Sequence, residues 1–408
     1  MGAKHLGALA ERAAARGGTL HFEGETFDGK ELFDRSTALA GGLAAAGIAP
    51  GDRVVVMMAN CPEVGMSYNA LWRIGAVPTP VIFLVTAAEL EHILTDSKAA
   101  AVVTTPEFSG KVTETGVDVP VYVVGEESFA SLEKAAPAAL VDRADDDLAA
   151  LLYTGGTTGR SKGVMLTHAN LWGSGEAAKI KADETGAAPT RSITALPLAH
   201  AYGLLVTVVG MFADEAGEAV LQRWFNPQTF LELSQQHRCE IMSVVPSMLQ
   251  MLLTLPLEDY DLSSVETVTS GGAPLSPAVL AEWERRVPSS VVTEGYGLTE
   301  TSALVSSSSR EERKPGAVGK PVPTVEVRIL DPDGTDVVPG EDGEICVRSP
   351  MVMRGYWGAE EQTTSAIRDG WLHTGDIGHL DDDGFLFVVD RIKDLIIRGG
   401  FNVYPRDI

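Results

Sequence analysis

The sequence predicts an α/β fold followed by a smaller antiparallel β unit. Three observations carry this. Short β-rich runs alternate with helix-period segments from Val54 to about Ser290, as parallel strands with crossover helices require. Thr86-Ala87-Ala88-Glu89 is a capping box. From about Pro315, clusters of turn-forming residues cut the chain into short strands.

Taken in order, Val54-Val55-Val56-Met57 reads as a buried strand, and the capping box opens a helix whose Leu90, Ile93 and Leu94 share one face. Ala101-Val102-Val103 and Val121-Tyr122-Val123-Val124 supply further strands. The apolar run Leu148 to Leu152 leads into a Gly-rich segment, with a helix expected from about Thr167. Ile193 to Pro197 is an apolar strand before an apolar helix at Leu204, and Ile241 to Val245 is another strand. The run Ser306–Ser309 reads as a polar loop. Asp-Pro-Asp-Gly at 331–334, Pro-Gly-Glu-Asp-Gly at 339–343 and Asp-Asp-Asp-Gly at 381–384 are hairpin turns, so a small β-barrel or sandwich is expected there. No repeat of fixed period appears. At roughly 150 residues per domain, 408 residues imply two to three domains or subdomains.

Composition excludes several classes. The net charge is −24 and no Lys/Arg cluster offsets it, which argues against nucleic-acid binding. Apolar residues at 45% against 22% charged are enough to fill a large core, so disorder is excluded for most of the chain. The most apolar stretch, Leu204 to Ala213, is far short of the ~18 residues of a membrane span. Cys61, Cys239 and Cys346 are scattered, form no CxxC pair and read as buried or idle thiols in a reducing compartment. The N-terminus lacks the apolar core of a signal peptide, so a cytoplasmic location is expected.

The chemistry begins at Tyr153-Thr154-Gly155-Gly156-Thr157-Thr158-Gly159-Arg160-Ser161-Lys162-Gly163. Glycines let the backbone turn its N–H groups inward, the hydroxyls add donors, and Lys162 brings positive charge; together these make a phosphate cradle. The spacing fits neither a Walker A loop, since Lys162 stands three residues after Gly159, nor the Gly-x-Gly-x-x-Gly of a dinucleotide site.

This segment resembles the phosphate loop of the adenylate-forming superfamily, which includes acyl-CoA synthetases, luciferases and the adenylation domains of peptide synthetases. Gly155 and Ser161 replace the usual serine and proline, and the glycine variant is similar to that of fatty-acyl-CoA ligases. Further motifs follow in the superfamily's order. Pro197-Leu198-Ala199-His200-Ala201-Tyr202-Gly203 resembles the gate ahead of the acyl pocket, and Ser270-Gly271-Gly272-Ala273-Pro274-Leu275 resembles the adenine-side loop. Glu294-Gly295-Tyr296-Gly297-Leu298-Thr299-Glu300-Thr301 matches the motif whose tyrosine stacks on adenine and whose threonine and glutamate meet phosphate and magnesium. Thr374-Gly375-Asp376 and Asp390-Arg391-Ile392-Lys393-Asp394 imply a ribose-binding aspartate and arginine and a hinge at Lys393. The resemblance spans about residues 19 to 408. It implies two stacked α/β subdomains, about 1–150 and 151–310, with mixed, largely parallel sheets. A β-barrel subdomain at about 311–390 would complete a large domain over 1–390, and 391–408 would begin a C-terminal lid.

The residue types suit these roles. Tyr296 offers adenine a flat face, with Gly295 and Gly297 allowing close approach. An ionised Asp376 accepts from vicinal hydroxyls, Arg391 donates, and Glu300 offers magnesium a hard oxygen. His200 is expected in a cleft, shaping the acyl entrance and orienting the acid; a carboxylate nucleophile is already ionised at pH 7 and needs no base.

The implied reaction has two steps. A carboxylate attacks the α-phosphate of ATP and releases pyrophosphate, aided by Thr154 to Gly159, Lys162, Thr299, and magnesium on Glu300. A thiol, of coenzyme A or of an acyl carrier protein, then displaces AMP. Acyl specificity is expected from His200, Tyr202, Gly203, Val245, Met248, Gly272, Gly297, Ala303 and Leu304. With no arginine or lysine there, a medium- or long-chain fatty acid or an aromatic acid is favoured over a dicarboxylate such as malonate. The family's adenylation lysine would lie past Ile408, so catalysis by these 408 residues is expected to be strongly impaired. A non-catalytic nucleotide- and acyl-binding module is the reading from a different class.

Overall fold

A computed structural model describes residues 2–156, 159–184, 190–392, 396–398 and 401–403. The chain opens with α1 (Leu6–Arg16), the hairpin β1 (Thr19–Phe22) and β2 (Glu25–Asp28), and α2 (Gly29–Ala45). Four strands then form a parallel sheet in the order β4-β3-β5-β6, its first three largely buried: β3 (Arg53–Met57), β4 (Val77–Pro80), β5 (Ala101–Thr104) and β6 (Val121–Val123). The crossovers are α3 (Pro62–Arg73), α4 (Ala87–Asp96) and α5 (Pro106–Glu114), with a short α6 (Glu127–Ala130) after them. The capping box forms as read: Glu89 N donates to Thr86 Oγ1 at 3.2 Å, Thr86 N to Glu89 Oε2 at 2.7 Å, and Leu90, Ile93 and Leu94 are buried.

The expected strand at Leu148–Leu152 and helix near Thr167 both form, but the Gly-rich segment between them is not a simple loop. It is a β-hairpin, β7 (Leu148–Gly156) and β8 (Gly159–Thr167), with Thr154 opposite Lys162 and Gly156 opposite Gly159. Near the end of β8, Val164 and Leu166 point to one side and enter the core. The helix α7 (His168–Glu184) follows.

The second α/β region contains β9 (Arg191–Thr194), α8 (Ala201–Gly210), β10 (Glu218–Leu221), α9 (Pro227–Gln236), β11 (Ile241–Val244), α10 (Pro246–Leu253), β12 (Thr267–Gly271), α11 (Pro277–Arg286), β13 (Val291–Tyr296), β14 (Ser306–Ser307) and β15 (Lys320–Pro321). Its strands join the N-terminal hairpin in one nine-stranded sheet ordered β15-β14-β13-β12-β11-β9-β10-β1-β2. This sheet is parallel from β1 to β13 and antiparallel at both edges. It therefore runs across the division expected near residue 150, because β1 lends its free edge to β10 rather than to the nearer β3 sheet. The expected polar loop Ser306–Ser309 is instead largely buried and partly stranded. Its hydroxyls satisfy backbone groups: Ser306 Oγ donates to Val318 O at 2.8 Å and Ser308 Oγ accepts from Glu294 N at 2.7 Å.

The last region is antiparallel: β16 (Glu326–Leu330), β17 (Gly343–Arg348), β18 (Gly355–Tyr356), α12 (Glu360–Ala366), β19 (Ile367–Arg368), β20 (Trp371–Leu380) and β21 (Leu386–Arg391). Strands β16, β17, β20, β19 and β21 form one curled sheet over a core of Ile329, Ile345, Val347 and Leu386, and the turns fall at the predicted Asp-Gly clusters. Strand β18 turns back to pair with β8, fastening this region to the hairpin. A short hairpin, β22 (Ile396–Arg398) and β23 (Phe401–Val403), follows. All three cysteines are free and buried. No helix among the described residues is long and apolar enough to cross a membrane.

One packing feature predicts a pH dependence. His168 begins α7, stacks on His5 with ring centroids 4.8 Å apart, and accepts from Leu6 N through Nδ1 at 3.2 Å. Burial, reinforced by His5 and Arg143, pushes its pKa down from 6.5 to about 3. The unfolded chain takes up this proton below about pH 6.5, while the fold refuses it until about pH 3. Stability should therefore fall as pH drops through that window, by up to about 1.4 kcal/mol per pH unit for this one group. Comparing urea midpoints of the parent and of His168→Gln at pH 7, 5.5 and 4 tests this; equal pH slopes would refute it.

Candidate nucleotide and acid site

The carboxyl ends of the parallel strands β9, β11, β12 and β13 open on one side of the large sheet, where ligands of such sheets bind. Past β9 the chain runs through Leu196 and Pro197 to His200, the N-cap of α8. Buried Asn60 fixes this wall: its Nδ2 donates to Leu196 O at 2.9 Å and to Gln222 O at 3.1 Å, and its Oδ1 accepts from Leu198 N at 3.0 Å. Gly203 is required here, since a Cβ would fall 2.1 Å from Pro197 O. Past β12, Gly272 takes φ +80°, and residues 272–274, including Ala273 and Pro274, are exposed.

These segments enclose a cavity of about 270 Å³ lined by Ile82, Phe83, Leu84, Leu196, Pro197, His200, Tyr202, Gly203, Val245 and Gly272. The lining contains five of the expected acyl residues and no lysine or arginine. Tyr202 donates to Thr269 Oγ1 at 3.2 Å, which anchors one wall, and burial raises its pKa. The His200 ring reaches the open mouth, while the protein mass around it lowers its pKa by desolvation, keeping it neutral at pH 7. Its Nδ1 accepts from Tyr202 N at 3.3 Å, so the neutral ring carries its proton on Nε2.

Four other expected acyl residues do not line this cavity. Met248 packs in the core beneath α10, and Ala303 and Leu304 pack with Ala177, Leu205, Val322 and Met351. Gly297 backs onto Ala303, where the chain doubles back: Ala303 N donates to Leu298 O at 2.8 Å and Val305 N to Tyr296 O at 2.8 Å. The apolar pattern that marks a pocket wall marks a core equally well. Glu294 also faces elsewhere, into a second cavity of about 260 Å³ with Leu280, Arg313 and Lys314, because side chains alternate across β13.

The nucleotide-motif residues fall into two linked groups. In the first, Tyr296 donates to Asp376 Oδ2 at 2.6 Å, Arg391 Nε pairs with Asp376 Oδ1 at 2.9 Å, and Asp376 N donates to Thr374 Oγ1 at 3.0 Å. Desolvation raises the pKa of both Tyr296 and Asp376; for the carboxyl this outweighs the lowering by Tyr296 and Arg391. Glu300 stands near enough to add to the rise at Asp376. Gly271 pairs with Gly295 on the neighbouring strands, which sets the Ser270–Leu275 loop beside Tyr296.

In the second group, the Lys162 ammonium lies 4.1 Å from the centre of the Tyr356 ring, and Tyr356 donates to Glu300 Oε1 at 2.8 Å. Thr299 and Glu300 sit in one turn of 3₁₀ helix, with Met353 N donating to Glu300 O at 2.8 Å. Burial, then the Glu300 charge, raises the Tyr356 phenol. Tyr356 escaped the sequence reading, although an aromatic pair, Tyr356-Trp357, directly after Gly355 is a usable signal. The base of the hairpin is clamped to α4: Tyr153 donates to Asp96 Oδ2 at 2.6 Å, Trp357 Nε1 to Asp96 O at 3.0 Å, and His92 meets Ser161 O at 2.9 Å. Gly155, Gly156 and Gly159 lie on the hairpin strands, whereas Thr157, Thr158 and Lys393 lie outside the described residues.

Lys111 holds the remaining wall. Its ammonium donates to Phe83 O at 2.6 Å and Val85 O at 2.7 Å, bracketing Leu84 from α5. Lys111→Met should raise KM for the acid about tenfold, the scale of one lost charged hydrogen bond, and leave KM for ATP unchanged. Equal effects on both would refute a wall-positioning role.

The AMP-binding enzyme family matches residues 9–357. A feruloyl-CoA synthase of Amycolatopsis sp is 37% identical over 392 residues, covering 93% of this chain and 76% of the relative. A long-chain-fatty-acid–CoA ligase of Bacillus subtilis is 32% identical, covering 95% of this chain and 76% of the relative. The crystal structure of ATP-bound MatB from Rhodopseudomonas palustris superposes with a TM-score of 0.91 at 34% identity, covering 100% of this chain and 82% of that one.

Proposed function

This chain belongs to the AMP-binding enzyme family, and from that premise we propose that it activates a compact apolar monocarboxylic acid as acyl-AMP and passes the acyl group to the thiol of coenzyme A. The single observation that carries the acid's class is the 270 Å³ cavity without a lysine or arginine. A second carboxylate there would be desolvated without a partner. The volume is also just below the roughly 300–1,000 Å³ of ligand pockets, which favours a medium-chain or aryl acid over a long chain. The feruloyl-CoA relative supports the aryl alternative.

In this reading the acid enters past His200, whose Nε2–H orients the carboxylate. The carboxylate oxygen attacks the α-phosphorus of ATP, and the bond to the bridging oxygen breaks as pyrophosphate leaves. Lys162 and the hairpin donors, including Thr154, neutralise phosphate charge. Tyr356 braces both Lys162 and Glu300. The donor chemistry at Glu300 fits a magnesium ion: a carboxylate oxygen held in orientation by the Tyr356 hydroxyl. Such an ion, when bound, supplies further charge neutralisation on the phosphates. Tyr296 provides the adenine face. Asp376 receives the ribose hydroxyls, because a carboxylate accepts about four hydrogen bonds and Tyr296 and Arg391 take two. Residues 1–390 act as the binding unit and 391–408 begin a hinge, a reading supported by the 2.9 Å hydrogen bond from Ile392 N to Gly375 O.

The test is pyrophosphate release with octanoate, cinnamate, palmitate and malonate, in the presence of ATP and magnesium. Octanoate or cinnamate should exceed palmitate in kcat/KM by about tenfold, or about 1.4 kcal/mol, with malonate inert. A preference for malonate would refute the cavity assignment. Trapping the adenylate as hydroxamate, then adding coenzyme A or an acyl carrier protein, identifies the acceptor; consumption only by the carrier protein would refute the coenzyme A step.

A further inference from the structure

On the N-terminal side of the large sheet, away from the strand ends that form the acid cavity, three side chains from separate elements converge. His21 is on β1, Glu218 is the first residue of β10, and His237 is the C-cap of α9. Their ligand atoms all lie within 4.8 Å of one another. The His21 and His237 rings are 4.1 Å apart at their centroids. His21 Nε2 is buried and makes no hydrogen bond, although Glu218 Oε2 is 3.4 Å away. We propose that His21, Glu218 and His237 form a binding site for a zinc-type divalent cation that ties the N-terminal hairpin to β10 and α9.

The donor set is two imidazoles and a carboxylate, which zinc takes with a water in the fourth position. Zinc bonds near 2.05 Å put two tetrahedral ligands about 3.4 Å apart, matching the separation of His21 Nε2 and Glu218 Oε2. His21 Nδ1 is 3.1 Å from Thr26 Oγ1. Donation from Nδ1–H to that hydroxyl leaves the Nε2 lone pair free for a metal, the outer-shell arrangement that orients metal-binding histidines.

The backbones are already fixed. Strands β1 and β10 are hydrogen-bonded neighbours, and His237 N donates to Leu233 O at 2.9 Å. His237 also sits where the helix dipole favours a cation. Arg191, the cross-strand neighbour of Glu218, does not compete for it, since its guanidinium meets Glu240 Oε1 at 2.6 Å.

Zinc chloride alone is the probe, titrated calorimetrically into EDTA-treated full-length protein, with the melting temperature followed in parallel. One saturable equivalent and a raised melting temperature are expected. His237→Gln should abolish that equivalent, Glu218→Gln should weaken it at least tenfold, and Thr26→Val should weaken it about 10- to 100-fold. Cys346→Ser is the control for the other three-ligand cluster among the described residues, Glu344, Cys346 and His373, and should leave the equivalent intact. Both His237 and Glu218 reach the surface, so their variants should fold, as melting without zinc would verify. No saturable binding, or a stoichiometry that His237→Gln leaves unchanged, overturns the proposal.

Discussion

Adenylate formation by the Glu300→Ala protein should fall about 10²–10³-fold, the scale on which loss of one preorganised charge-stabilising group slows a reaction. The substitution removes the carboxylate assigned to magnesium and the acceptor that holds Tyr356. Tyr356 then loses its orientation beneath Lys162, whose ammonium stands 4.1 Å from the ring centre, so a second positive charge is displaced. Acid binding should change little, because Glu300 does not line the apolar cavity. Single-turnover pyrophosphate release at saturating acid measures the first effect and calorimetry with the acid alone measures the second. Tyr356→Phe separates the two causes, since it keeps the ring under Lys162 and removes only the hydroxyl. A Glu300→Ala protein with parental turnover would end the assignment.

Asp376→Ala should weaken AMP binding by about 10²-fold or more, since two hydrogen bonds to a charged acceptor are lost at about 1.5–3 kcal/mol each. It should also cost about 1–3 kcal/mol of stability, the penalty for leaving the buried Tyr296 hydroxyl without its acceptor. The Arg391 pair adds little to that figure, because the arginine side chain is 61% exposed. Tyr296→Phe offers the complementary reading. It removes the hydroxyl and keeps the ring, so adenine stacking should persist, whereas Tyr296→Ala should lose a further ~1–3 kcal/mol of AMP affinity. Equal AMP affinities for Tyr296→Phe and Tyr296→Ala would remove the stacking role. Unchanged AMP affinity in Asp376→Ala would remove the ribose role.

Much of the site was legible because its residues come in short motifs whose internal spacing is local. Thr154 to Lys162 lie along one hairpin, and Tyr296 to Glu300 along one strand end and turn. What the motifs could not carry was how their side chains meet. Asp376 and Tyr296 are 80 positions apart and share a proton donor and acceptor, and Tyr356 bridges Lys162 to Glu300 across a distance the sequence does not encode. Met248, Ala303 and Leu304 illustrate the converse: apolar residues beside a motif turned into the core rather than the cavity.

By itself the sequence determined the α/β class, several of the strands, the helix cap at Thr86, the turns of the antiparallel region and the order of the nucleotide motifs. Each of these rests on backbone preferences and side-chain periodicities within a few residues. Only the tertiary structure decided that β1 pairs with β10 and not with β3, that the Gly-rich segment closes as a hairpin held by β18, and that Ser306–Ser309 is largely buried. It also brought His21 to Glu218 and His237, about two hundred positions further along the chain. The physical reason is that an open strand edge, a hydroxyl or a half-apolar face has many acceptable local partners. Which one it takes is settled by burying apolar area and pairing backbone groups over the whole chain at once.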